Sequence, residues 1–201
     1  MTKLSWQRYE EIKSCVADLI EDYNINYPLD PQQLIDKIGI KVKYYNSADI
    51  YESGFDASFD GGGYTLKRRT LTGYEWRIGI SKIGPAGRNL FTLCHELGHI
   101  ILHRGSVTAG TDVIEREADF FASYLLMPDV VARLLFAPVS EDDLVNYCGV
   151  TYSCAREMCR RINREYKGKL TLKEYDCRIL STLCIQSNNC SDEQNDIRLI
   201  S

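Results

Sequence analysis

Residues 95–99 read His95-Glu96-Leu97-Gly98-His99 and lie inside an apolar run that carries Leu90, Phe91, Leu93, Ile100, Ile101 and Leu102. No proline interrupts that run, and its apolar spacing predicts a helix over Asn89–His103. Two histidines four apart on a helix project from one face, a turn above one another. Both imidazoles can then bind a single Zn²⁺, with Glu96 beside the ion to handle protons. The segment therefore constrains an element and a chemistry together: metal-assisted hydrolysis, with a peptide bond as the foremost substrate. All three histidines of the chain (His95, His99, His103) fall within these nine residues. Scattered surface histidines would not cluster in this way.

A catalytic zinc takes three protein ligands and leaves one position for water. The third ligand is expected on the next helix, in Glu115-Arg116-Glu117-Ala118-Asp119. Glu115 and Asp119 share a face. Ala118 and Ala122 keep that helix slim enough to approach the first, and Gly98 offers no side chain at the contact. On this reading Glu115 ligates the ion and Asp119 accepts a hydrogen bond from the other nitrogen of one histidine. Glu117 is a rival ligand, although it lies about 200° further round the helix. His103 is a second rival, or a cap near the helix C-terminus. Tyr64, Tyr74, Arg77, His103 and Tyr124 all remain open as donors to a tetrahedral oxyanion.

The rest of the chain reads as helices around a small sheet. Ser5–Tyr23 has apolar residues at steps of three and four. Asp30-Pro31 opens a short helix that stops at Gly39. Ile40–Tyr45, Leu66–Leu71 and Tyr74–Ser81 read as strands, with a turn at Gly61–Gly63 between short strands. Helices are expected over Val113–Met127, Asp129–Phe136, Glu141–Cys148 and from Thr151 or Ser153 to Tyr166. Residues 168–201 show weak periodicity; an extra strand or helix and then a mobile tail are expected there.

With 201 residues, 44% hydrophobic and 26% charged, the composition is that of a globular protein. A net charge of −4 argues against a general polyanion-binding surface. No segment approaches the roughly 20 apolar residues of a membrane span, and the N-terminus lacks an apolar signal core, so no membrane partner and a cytoplasmic location are expected. The eight cysteines show no CxxC pair and are read as free thiols.

The block Asn89–His103, followed by Glu115-Arg-Glu-Ala-Asp119-Phe-Phe-Ala122 and Leu125-Leu-Met-Pro128, resembles the ImmA/IrrE family of gluzincin-type zinc metallopeptidases, as does Pro28–Val42. The resemblance spans about residues 10–165. It implies metal ligands at His95, His99 and Glu115, Glu96 as general base, and one zinc ion. It also implies a protein substrate, since many relatives cut transcriptional repressors of mobile elements or stress regulons and so act as antirepressors. Some relatives carry an N-terminal DNA-binding domain, whereas this chain starts at the peptidase portion.

The expected architecture is α+β: a zincin-like metallopeptidase domain with a small twisted sheet and an active-site helix pair over 1–138, a helical extension over 139–167, and a tail of unassigned role over 168–201. An edge of the sheet could take the substrate in extended form. The extension reads as helix, Gly149-Val150 turn, then a helix bearing Arg156, Arg160, Arg161 and Arg164, which also fits a helix-turn-helix. Two alternative functions follow: a zinc-containing regulator that sequesters a repressor uncut, and a DNA-binding regulator acting through 141–166. Direct DNA contact is the lesser reading, behind docking of a protein.

Overall fold

The computed structural model describes residues 4–46, 62–71, 73–83, 86–103, 111–165 and 172–190. Most of the segment expected to carry the triple-glycine turn lies outside them, as do the loop after His103 and residues 191–201. Among the described residues the chain forms eight helices and three strands, a mixed α+β arrangement.

Helix α1 (Trp6–Tyr23) starts where the Ser5 side chain accepts the Arg8 amide and stops at Asn24, in the left-handed region at φ 50°. Its buried stripe is Ile12, Val16, Leu19 and Ile20. Helix α2 (Pro31–Ile38) has Asp30 as N-cap and Gly39 at φ 85° as its end, as the sequence predicts. Strand β1 (Lys41–Tyr45) then runs parallel to β3 (Gly73–Ser81), with Val42 opposite Ile78. Strand β2 (Gly63–Thr70) pairs antiparallel on the other side of β3, with Thr65 opposite Ile78, giving the order β1-β3-β2. Gly63 thus belongs to a strand rather than to the expected turn.

Helix α3 (Ala86–His103) crosses this sheet and packs on β2 and β3. It begins three residues before the predicted start, because Gly87 lies inside the helix instead of ending it. The reason is a close approach: a Cβ on Gly87 would stand 2.4 Å from the Gly149 carbonyl oxygen. Helix α4 (Thr111–Leu126) lies against the other side of α3. Gly98 is the contact between them, with Phe121 Cδ1 only 2.9 Å and Ala118 Cα 3.3 Å from where a Cβ would be. Leu93, Cys94 and Leu97 of α3 and Phe121, Ala122 and Leu125 of α4 belong to one buried hydrophobic core.

Three shorter helices follow: α5 (Asp129–Leu135), α6 (Glu141–Cys148) and α7 (Tyr152–Glu165). A reciprocal capping box between Ser140 and Asp143 starts α6, and Gly149 at φ 68° ends it. Arg161 fastens α7 inward. Its guanidinium donates to Asp129 (2.8 Å), Ser123 Oγ (2.7 Å) and the Met127 carbonyl (2.7 Å). The tail contributes a helix, α8 (Glu174–Cys190), laid against α1. Cys15, Cys94, Cys148, Cys154, Cys159 and Cys177 are free thiols.

Candidate active site

Helices α3 and α4 bring His95, His99 and Glu115 to one point. His95 Nε2 and His99 Nε2 are 3.0 Å apart, His95 Nε2 and Glu115 Oε2 3.2 Å, and His99 Nε2 and Glu115 Oε1 3.5 Å. Each residue thus turns one donor atom into a common space. Four ligands at about 2.0–2.1 Å around a tetrahedral zinc stand roughly 3.3–3.4 Å from one another. The three measured edges bracket that value, so the donor set fits a single zinc-sized ion. Two imidazoles and one carboxylate are also the ligand types such an ion takes.

The charge distribution agrees with that fit. Burial opposes a charge on His95, but Asp119, Glu96 and Glu115 around it hold its titration above the ordinary histidine value. His99, pushed down by burial and by the adjacent His95, is a neutral ring with a lone pair to offer.

Each histidine is oriented from behind. His95 Nδ1 lies 2.9 Å from Asp119 Oδ1, so it donates there and leaves Nε2 as the acceptor nitrogen. His99 Nδ1 lies 3.4 Å from His103 Nδ1, and His103 Nε2 lies 2.9 Å from Glu117 Oε2. Glu117 in turn accepts from Arg8 Nε and Nη2, both at 2.8 Å. The Arg8 hydrogen bond, against the effect of burial, holds Glu117 below the usual carboxylate range. An ionised Glu117 accepts from His103 Nε2, His103 Nδ1 accepts from His99 Nδ1, and His99 Nε2 is left facing the ion site. Glu117 and His103, the two rival ligands, are both spent in this chain.

Glu96 lies on the adjoining part of α3 and is 7% exposed. Thr65 on β2 donates to its Oε2 at 2.7 Å. Burial, outweighing that bond, raises the carboxyl above its ordinary value. Gly63 makes the fit possible, because a Cβ there would meet Thr92 Cγ2 at 2.5 Å and Glu96 Oε1 at 2.8 Å. A desolvated carboxylate with a raised affinity for protons is suited to general-base work.

The sequence passes over Thr65, Gly63 and Arg8. Thr65 falls one residue outside the predicted strand, and Arg8 is separated from Glu117 by 109 positions. Of the oxyanion candidates, Tyr124 is fully buried, Tyr64 packs on Tyr45, Tyr74 sits beside Lys67 at the hairpin end, and Arg77 pairs with Glu75.

A family model for the IrrE N-terminal-like domain, a peptidase family, matches residues 35–160. That stretch runs from α2 to α7 and includes every residue of the site except Arg8. No curated protein sequence matches the chain.

Proposed function

The chain belongs to the IrrE N-terminal-like peptidase family, and on that premise we propose that it is a zinc-dependent endopeptidase that cuts a cytosolic protein, a transcriptional repressor of a mobile element or stress regulon. Membership gives the fold as zincin-like and supports an activity of the metallopeptidase type. The zinc reading is carried by one observation: the triangle of His95, His99 and Glu115 donor atoms with edges of 3.0–3.5 Å. The repressor rests on the family resemblance. No helix among the described residues is long and apolar enough to cross a membrane.

His95, His99 and Glu115 would hold the ion. When bound, zinc supplies Lewis acidity, polarising a scissile carbonyl and bringing proton loss from water near pH 7. Glu96 takes that proton and returns it to the leaving amine. Thr65 fixes the plane of the Glu96 carboxylate, and burial keeps its basicity high. Asp119 and the His103–Glu117–Arg8 chain hold both imidazoles with Nε2 forward, so no reorganisation is needed when substrate arrives. Among the described residues β2 is an edge strand beside Glu96, a place where an extended peptide can add to the sheet.

The test is incubation of the zinc-loaded protein with repressors encoded near its gene, read by mass spectrometry. The wild-type protein should yield one new fragment pair, and Glu96→Gln should yield none while retaining one zinc. A repressor that is bound but intact would make the protein a sequestering module. Cleavage by Glu96→Gln would remove Glu96 as the base.

A further inference from the structure

A cleft of about 1160 Å³ opens between α1, α3, α4 and α7. Its walls carry Arg88, Arg116, Arg160, Arg161 and Arg164 against two acids, Asp119 and Glu157, a formal balance of five minus two, or +3. The whole chain is at −4. Arg161 is matched by Asp129 and Arg160 by Glu157, while Arg164 on the same helix is exposed. Trp6, Phe91 and Phe120 supply apolar surface between them, and Trp6 is 62% exposed. The cleft runs up to the ion site: Asp119, on its wall, is the residue bonded to His95, and the Phe91 ring lies 6.3 Å from the His95 ring.

We propose that this cleft seats an acidic segment of the protein substrate, with its apolar side chains on the aromatic surface and the scissile bond beyond Asp119. The proposal rests on the peptidase reading of the adjoining site. Guanidinium groups present planar forks that match carboxylates, and a concave wall of net positive charge concentrates the field on a short acidic ligand. Arg160 lies 2.5 Å from Glu157 and Arg164 is exposed, so an arriving carboxylate can replace the first pairing and meet the second. The same chemistry disfavours a long polyanion. Duplex DNA would have to lie across a surface that is acidic overall, whereas a peptide segment needs only the cleft.

The experiment measures fluorescence anisotropy of a labelled Asp/Glu-rich peptide containing Leu and Phe, with the full-length Glu96→Gln protein loaded with zinc so that cleavage does not intrude. The acidic peptide should bind and a Lys-rich counterpart should not. Adding Arg160→Glu and Arg164→Glu together should weaken binding at least about tenfold, with zinc content and melting temperature unchanged. Arg156→Glu makes the same kind of charge change on α7 outside the cleft, where Arg156 pairs with Glu141, and should leave binding as it was. Indifference to the double reversal, equal binding of both peptides, or displacement of the acidic peptide by duplex DNA would each overturn the proposal. Cleavage of the candidate repressors by the zinc-loaded wild-type protein tests the peptidase reading separately. A charge-indifferent cleft in an active enzyme refutes only this inference, and an arginine-dependent cleft in an inactive protein refutes only that reading.

Discussion

Asp119 and His103 do the same task for different rings. Each accepts a hydrogen bond from the Nδ1–H of a histidine and leaves Nε2 facing inward. The Asp119 arrangement is local, within one helix pair, and the Glu115–Asp119 spacing predicts it. The His103 arrangement is longer, since it ends on Glu117 and Arg8, and no local pattern points to α1 as its anchor. Removing a partner that orients a ligating histidine costs about 10- to 100-fold in metal affinity. His103→Ala should therefore weaken zinc binding by that factor in a chelator competition, without removing a ligand. Unchanged affinity would mean that the 3.4 Å contact does not set the His99 tautomer.

Helices α3 and α4 can place three donors around one ion only if they lie close, and Gly98 sets how close. With Phe121 at 2.9 Å, an added methyl must push the helices apart or twist the ring. Gly98→Ala should cost about 1–3 kcal/mol of unfolding free energy by overpacking, measured in urea, and should lower zinc affinity as the triangle opens. Stability and affinity equal to wild type would show that the pair tolerates wider spacing. At this scale most of the framework is legible in the sequence. The apolar period marks both helices, Asp30-Pro31 and Gly39 bracket α2, and Ser140 and Asp143 open α6. The misses share a physical cause. Gly63 and Gly87 look like breakers from composition, but each is needed for a neighbour that comes from far along the chain: Thr92 and Glu96 for Gly63, the Gly149 carbonyl for Gly87.

The molecule is closed by contacts between its ends. On α8, Arg178 meets Asp18 at 2.7 Å and also Glu21, Tyr175 donates to Glu10 at 3.0 Å, and Ile179 is fully buried. These partners sit on α1, the helix that also supplies Arg8 to Glu117. The packing of α8 is illegible locally because it rests on pairings across more than 150 positions, whereas the His-Glu-His helix announces itself within five. Inward anchoring of Arg161 likewise cannot be read from an arginine-rich helix, which by sequence alone resembles a DNA-reading element. Within this frame the geometry of α3 and α4 would have His95 Nε2, His99 Nε2 and a Glu115 oxygen share a single ion. Diffraction from zinc-loaded crystals at the zinc absorption edge tests it most directly. One anomalous peak about 2.0–2.2 Å from each of those three atoms is expected; no peak there, or a peak between His103 and Glu117 instead, would rule out the shared ion.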